Sequence, residues 1–260
     1  ISAESIAGKR FGGKAMNPMM KVSELTKRFG GVKVFENLNF DLNRNEILGV
    51  VGPNGAGKTT LINVLCGASP ANTGQIWLED KQVTGSLLHE MSKLGVLRSF
   101  QQANTFGVKS VRENLLYALT FSGQDLNPDP VAMELLEQFD LLSRLDEQSN
   151  KLPYGLQKVL GMMMTFLTRP KVLLLDEPCS ALDPGSTRRI EETIEELSES
   201  MTIVIVTHNM QQAQRVSHQT AFFLAEDGNP GGVVEFGKTE DVFNNPVDLR
   251  TNDYVNGHFG

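Results

Sequence analysis

A glycine-rich segment in the first quarter of the chain has the residue types that bind phosphate groups. Residues 52–59 read Gly-Pro-Asn-Gly-Ala-Gly-Lys-Thr and fit the pattern G-x-x-x-x-G-K-[ST] at every fixed position. An apolar run precedes the segment, and residues 58–66 have helical spacing. In that setting the glycines allow backbone N–H groups to surround phosphate oxygens, and the helix N-terminus adds a favourable dipole. The segment therefore predicts a site for a nucleoside triphosphate.

Two side chains of this segment have separate expected roles. The Lys58 ammonium is expected to reach the β- and γ-phosphates, and the Thr59 hydroxyl is expected to ligate Mg²⁺. The alternative is a glycine turn with a chance lysine, but the strand–loop–helix context favours phosphate binding. The predicted nucleotide-binding residues are Gly52, Pro53, Asn54, Gly55, Ala56, Gly57, Lys58, Thr59 and Thr60.

A pair of acidic residues later in the chain offers the second half of a hydrolytic site. The apolar run Val172–Leu175 leads directly into Asp176 and Glu177. Asp176 is expected to hold Mg²⁺, and Glu177 is expected to orient and deprotonate the attacking water. The alternative is that both acids sit at a helix N-terminus and only complement its dipole. A buried strand that ends in two acids supplies the metal ligand that the glycine-rich segment lacks, which favours hydrolysis.

The elements that must position these residues alternate between strand and helix. Residues 21–25 and 34–42 are predicted to be antiparallel strands joined by a glycine turn. Residues 108–157 have helical periodicity, and strands alternate with helices again after them. This order predicts an α/β fold with a mainly parallel sheet. The long interval between the glycine-rich segment and the two acids leaves room for an inserted lobe.

The composition is that of a globular chain with an acidic balance. Of the 260 residues, 40% are hydrophobic and 21% are charged, and the formal net charge is −7. These values argue against disorder and against nucleic acid as a partner. The two cysteines, Cys66 and Cys179, fit neither a zinc site nor a disulfide framework. No apolar run approaches the roughly 18–20 residues that cross a bilayer. Residues 1–20 are interpreted as a flexible tail or extension, because they lack the apolar stretch of a secretory signal.

Over residues 20–260, the order of these motifs resembles the nucleotide-binding domain of ABC transporters. The resemblance implies a P-loop NTPase core, an N-terminal antiparallel β subdomain and an α-helical subdomain inserted at about residues 105–165, all within a domain at 21–260. It implies an ATPase that uses ATP and Mg²⁺ and works as a homodimer or heterodimer of ATPase subunits. The implied partners are transmembrane permease subunits and, indirectly, a solute-binding protein, at the cytoplasmic face of the cell membrane.

The resemblance also assigns roles to residues outside the two motifs. Phe29 stands where the family has an aromatic residue that stacks on adenine. Gln101 matches the family's Q-loop glutamine, which contacts the metal or water and senses the membrane partner. Asp183 matches the D-loop, which crosses the dimer interface, and His208 matches the switch histidine that contacts the γ-phosphate.

The signature sequence of the family is altered in this chain. The pattern L-S-G-G-Q corresponds to Leu152-Pro153-Tyr154-Gly155-Leu156. Gly155 is retained, and the resemblance implies that its backbone N–H contacts the γ-phosphate of a second subunit. Pro153 replaces the serine and removes both a hydroxyl and a backbone donor, so we expect weaker contacts between subunits.

Two importer subfamilies match different parts of the chain. Residues 21 to about 170 resemble the ATPases of branched-chain amino-acid importers, and the sequence from Asp176 onward is similar to phosphate importer ATPases. The solute stays open between these two. Alternative functions are a soluble ABC ATPase without a transport role and a nucleotide-binding module with weak hydrolysis. A GTPase is disfavoured because the chain lacks an N-K-x-D motif.

Overall fold

We describe the protein from a computed structural model, which gives residues 18–99, 105–122, 130–225 and 230–258. Within these ranges the strands are β1 Met20–Phe29, β2 Val32–Leu42, β3 Ile47–Val51, β4 Thr73–Leu78, β5 Lys81–Gln82, β6 Val96–Ser99, β7 Val172–Asp176, β8 Thr202–Thr207, β9 Gln219–Leu224 and β10 Gly232–Lys238. The α-helices are α1 Lys58–Leu65, α2 Leu88–Lys93, α3 Val111–Ser122, α4 Pro130–Gln138, α5 Tyr154–Phe166, α6 Pro184–Ser198, α7 Met210–Val216, α8 Thr239–Asn244 and α9 Leu249–Val255. Short 3₁₀ helices lie at Leu142–Arg144 and Ser149–Lys151.

A six-stranded sheet forms the centre of the fold and has the order β10-β9-β3-β8-β7-β6. All neighbouring strands in it are parallel except β10, which runs antiparallel to β9. Every residue of β3, β7 and β8 is buried, as expected when helices or a second sheet cover both faces of a parallel sheet. The predicted α/β fold with a mainly parallel sheet is confirmed. Because β3, β8 and β7 are parallel neighbours, their C-terminal ends lie side by side.

A four-stranded sheet with the order β2-β1-β4-β5 packs over one face of the central sheet. Strands β1 and β2 are antiparallel and join at Gly30-Gly31, as predicted. An isolated bridge between Phe35 and Gly231 connects β2 to the chain that leads into β10. This bridge brings the smaller sheet against the glycine-rich loop described below.

The two larger of three apolar clusters cover the two faces of the central sheet. Leu174 and Val204 belong to the core shared with the antiparallel sheet and α1. Leu173 and Ile203, one residue earlier on the same strands, belong to the core shared with α3, α4, α5 and α6. The alternation follows from the two-residue period of strand side chains. Helices α3, α4 and α5 occupy the region where the helical insertion is predicted.

The structure corrects the start of the domain and adds elements that the sequence did not indicate. The predicted tail at 1–20 is too long at its C-terminal end, because Met19 and Met20 are buried in the apolar core and β1 begins at Met20. Residues 1–17 lie outside the described ranges. Strands β5, β6 and β10 and helices α2, α8 and α9 were not predicted. In the part of the chain that the structure describes, no helix combines the length and the apolar character needed to span a membrane.

Candidate nucleotide-binding and hydrolysis site

The glycine-rich loop connects β3 to α1 and depends on close backbone packing. Gly52 has φ +142, and a Cβ added there would lie 1.9 Å from the carbonyl oxygen of Phe223 on β9. Gly57 has φ +101 and is the N-cap of α1, and a Cβ added there would lie 2.8 Å from Val34 Cγ1 on β2. Residues with side chains rarely adopt these φ values. Only glycine at these two positions lets the chain turn from the buried strand into the helix.

Lys58 lies beneath this loop and is held by it. Its side chain is buried, and Nζ donates hydrogen bonds to the carbonyl oxygens of Gly52 at 2.7 Å and Pro53 at 2.8 Å. Burial lowers the pKa of Lys58, and the negative charges of Glu177 and Asp176 act in the opposite direction. The ammonium is therefore positioned inside the loop, where the phosphates of a nucleotide are expected.

Asp176, Thr59, Arg98 and Asn63 form a connected set of polar side chains next to the loop. Thr59 Oγ1 donates to Asp176 Oδ1 at 3.3 Å, and the fully buried Asp176 carboxylate accepts from Arg98 through Oδ2 at 2.8 Å. Arg98 also donates to Asn63 Oδ1, one turn beyond Thr59 on α1. A hydroxyl and a carboxylate oxygen side by side are ligands that Mg²⁺ prefers. Thr59 and Asp176 thus fit the metal that the sequence predicts.

Glu177 and His208 meet at the ends of the neighbouring strands β7 and β8. Glu177 Oε1 accepts a hydrogen bond from the His208 backbone N–H at 3.0 Å and lies 2.7 Å from His208 Nδ1. Thr207 Oγ1 donates to Glu177 Oε2 at 3.4 Å. The Glu177 side chain is 12% exposed and that of His208 is 57% exposed. A shielded carboxylate beside an accessible imidazole is suited to proton transfer at the edge of the site.

The structure places three of the residues that were assigned roles by family resemblance outside the cluster around Lys58. Phe29 is 56% exposed at the end of β1, with Lys27 Nζ 4.6 Å from its ring centre. Gly155 lies in the first turn of α5, and a Cβ there would be 3.4 Å from Leu182. Asp183 caps α6 within its own subunit, accepting from the backbone N–H groups of Gly185 and Ser186 at 3.0 Å each. Gln101 lies outside the described residues.

A family model described as ABC transporter matches residues 35–180, which is more than half of the chain. The chain belongs to the ABC transporter ATP-binding family. It is an ABC-type ATPase, and the predicted family, enzyme class and fold are confirmed. The glycine-rich loop falls within the matched range, as do both acids.

This ABC ATPase has relatives of nearly its own length. It is 37% identical over 260 residues to the phosphate import ATP-binding protein PstB 5 of Trichormus variabilis, covering 94% of this chain and 98% of that protein. Its fold matches a nucleotide-free ATP-binding cassette from an ABC transporter with a TM-score of 0.75 at 23% identity, covering 93% and 99% of the two chains. It also matches the cassette MJ0796, described as dimeric and bound to ADP and Pi, with a TM-score of 0.70 at 23% identity, covering 85% and 99%.

Three residues of the ABC ATPase near this site had no role predicted from the sequence. Arg98 pairs with the predicted metal ligand Asp176. The one local feature that could have indicated its role is a basic residue inside a short strand. Lys158 is buried and bonds to the main chain of Glu177. A Cβ at Gly231 would lie 2.2 Å from the carbonyl oxygen of Ala56 in the loop. The partners of all three lie 19 or more residues away in the chain, so the contacts themselves could not be predicted from local patterns.

Proposed function

We propose that this ABC ATPase hydrolyses Mg²⁺-ATP with Glu177 as the general base and thereby powers the import of phosphate through a membrane permease. The observation that carries the hydrolytic part is the contact between Glu177 and His208 at the strand ends next to the loop that holds Lys58. The import of phosphate rests on the similarity, over nearly the full length of both chains, to a phosphate import ATP-binding protein.

In the proposed mechanism, the residues of the loop first exchange partners. Lys58 Nζ leaves the carbonyl oxygens of Gly52 and Pro53 and donates to the β- and γ-phosphates. Thr59 and Asp176 would hold Mg²⁺, which when bound neutralises charge on the phosphate oxygens. Phe29 would stack on the adenine, because its ring is exposed at the end of β1.

The chemical step is then carried by the Glu177–His208 pair. The Glu177 carboxylate orients a water molecule and accepts its proton as the water oxygen attacks the γ-phosphorus; the bond from the γ-phosphorus to the β,γ-bridging oxygen breaks, and ADP leaves with that oxygen. The backbone N–H of His208 holds the Glu177 side chain. The exposed imidazole, whose Nδ1 lies 2.7 Å from Glu177 Oε1, would exchange that contact for the γ-phosphate. Gln101 is proposed to contribute to the metal and water positions.

Coupling to transport requires a second ATPase subunit and a membrane partner. Gly155 and Asp183 are proposed to meet the nucleotide of the opposite subunit, in a homodimer or heterodimer that closes around two ATP molecules. Closure and release of this dimer would move transmembrane permease subunits that receive phosphate from a solute-binding protein. The subunit would then lie at the cytoplasmic face of the membrane as a peripheral protein.

Replacing the proposed base separates binding from chemistry. We expect Glu177→Gln to bind ATP like the wild type, with turnover lowered by roughly 10²-fold or more, the scale of a lost general base. The matched control is Glu192→Gln, because Glu192 lies on the surface of α6 and pairs only with Arg188 among the interactions described. Turnover in Glu177→Gln equal to that of the control would show that another group activates the water.

The dimer is tested with the same variant. We expect Glu177→Gln to sediment as a dimer in Mg²⁺-ATP and as a monomer without nucleotide, because unhydrolysed ATP keeps the subunits closed. A protein that stays monomeric at saturating ATP, even with its permease subunits present, would contradict the composite site.

The transported solute is tested with the permease that co-purifies with the chain, reconstituted in vesicles with its solute-binding protein. We expect phosphate to stimulate ATP hydrolysis and to enter the vesicles. Stimulation by a branched-chain amino acid with no response to phosphate would overturn the phosphate assignment and leave the ATPase assignment intact.

A further inference from the structure

A buried lysine on α5 binds the main chain next to the proposed base. Lys158 is 2% exposed. Its Nζ donates to the carbonyl oxygen of Glu177 at 2.8 Å, to the carbonyl oxygen of Ser180 at 2.9 Å and to Ser180 Oγ at 2.6 Å. An ammonium group has three N–H donors. Each donor of Lys158 therefore has an acceptor in the turn that follows β7.

That turn has an unusual backbone which needs support. Glu177 has φ +51 and Ala181 has φ +62, although neither is glycine. Such conformations cost free energy and persist where the surrounding structure holds them. The Glu177 N–H donates to the carbonyl oxygen of Val206 on β8 at 2.9 Å, and its carbonyl oxygen accepts from Lys158. Both peptide groups that flank the Glu177 side chain are therefore fixed by neighbouring elements.

The same face of α5 makes a second contact with this segment. Gly155 and Lys158 are three residues apart and lie on one side of the helix. A Cβ at Gly155 would be 3.4 Å from Leu182 Cδ2, an ordinary van der Waals contact, so the start of α5 lies next to this residue. The first turn and a half of α5 thus lies against the segment at both ends, bonded to Glu177 and adjacent to Leu182. A shift of α5 would change the backbone of Glu177 through these contacts.

We propose that Lys158 is a positioning residue for hydrolysis, which fixes the backbone of Glu177 and links its carboxylate to the start of α5. This inference rests on the proposed role of Glu177 as the base. In this role Lys158 acts through the main chain of Glu177 and Ser180. It keeps the left-handed turn in place so that the Glu177 carboxylate faces His208 and the attacking water.

The test compares Lys158→Met, which keeps the chain length but has no donor, with Lys158→Arg, which keeps the charge and several donors. We expect Lys158→Met to lower kcat by about 10²-fold, the loss associated with a displacement of roughly 1 Å at a reacting group. The KM and the Kd for ATP should stay within about threefold of the wild type, because the loop that holds Lys58 is unchanged. Lys158→Arg should recover most of kcat. Lys171→Met is the matched control, since Lys171 is exposed and pairs with Glu79.

A second variant tests the proposal even if Lys158→Met does not fold. Ser180→Ala removes one acceptor of the three and leaves the lysine in place. We expect it to lower kcat several-fold at unchanged KM, and to speed hydrogen exchange of residues 177–182. Unchanged kcat and unchanged exchange in this variant would overturn the proposal.

Other outcomes separate this proposal from the assignment of the base. Wild-type kcat in Lys158→Met, or parallel losses of ATP binding and kcat with no recovery in Lys158→Arg, would show that Lys158 has only a structural role. If Glu177→Gln is inactive while Lys158→Met is active, the positioning role fails and the base stands. If Glu177→Gln turns over ATP normally, the base assignment itself fails.

Discussion

Replacing Gly231 with alanine should disturb the phosphate-binding loop from a position more than 170 residues away in the chain. Gly231 precedes β10 and forms a bridge with Phe35. A Cβ there would lie 2.2 Å from the carbonyl oxygen of Ala56 and 2.8 Å from that of Val34. Both neighbours are backbone atoms, so no side chain can rotate away to make room.

The size of the effect follows from these distances. Ordinary contact with a Cβ begins at 3.4 Å, so the loop and the Gly231 segment must separate by about 1 Å. Forcing extra volume into a packed site costs about 1–3 kcal/mol. If half of the upper value is lost from the free energy of ATP binding, the affinity falls by about tenfold, since 1.4 kcal/mol corresponds to a factor of ten.

The experiment compares Gly231→Ala with Gly232→Ala. A Cβ at Gly232 meets nothing within 4 Å, so that variant should stay within about 0.5 kcal/mol of the wild type. Titration with a fluorescent ATP analogue gives the affinity, and urea unfolding gives the stability. Equal affinity and equal unfolding midpoints in the two variants would show that the close approach at Gly231 does not shape the loop.

Three further predictions follow from contacts at or near the site. Arg98→Met removes the cation paired with the fully buried Asp176 carboxylate, and without nucleotide it should lower the free energy of unfolding by about 3–5 kcal/mol. In urea unfolding, Mg²⁺-ATP should restore part of this stability, and a midpoint equal to that of the wild type would contradict the pairing. The hydrogen bonds from Ser186 hold the pKa of Asp183 below its usual value of 3.8, so this carboxylate contributes stability that is present above that pH and lost as the pH falls through the lower folded-state pKa. Asp183→Asn keeps the helix cap but removes the charge. Its melting temperature, measured at a series of acidic pH values, should depend less on pH than that of the wild type, and identical curves would refute the role of the Asp183 charge. Burial raises the pKa of Cys179 to about 12. Its thiol should therefore react with iodoacetamide at neutral pH much more slowly in the native protein than in urea. Equal rates would indicate an accessible thiolate.

The parts of the site that the sequence predicts are those fixed by neighbouring residues. An apolar strand, a glycine-rich turn and a helix start are consecutive in the chain, so the position of Lys58 follows from local rules. The same holds for Asp176 and Glu177, because the strand that ends at Asp176 is formed by a continuous apolar run. Strand β7 covers the predicted apolar run Val172–Leu175 and the first of the two acids, Asp176.

The contacts that support the site could not be predicted because they join distant segments. Arg98 reaches Asp176, and Lys158 reaches Glu177, only after the sheet and α5 have packed. Strand β6 was missed because its sequence, Val-Leu-Arg-Ser, is short and half polar. The start of β1 was missed because Met19 and Met20 follow a polar stretch, and their burial depends on the core that later segments build.

The hydrogen bonds of Lys58 have a kinetic consequence. The carbonyl oxygens of Gly52 and Pro53 hold the ammonium inside the loop, so the phosphates of ATP must displace these two acceptors. This exchange of one set of acceptors for another is local to the loop, so we expect association to be fast. The slow step of the cycle would fall after the nucleotide is seated, in the release of products or the opening of the subunits.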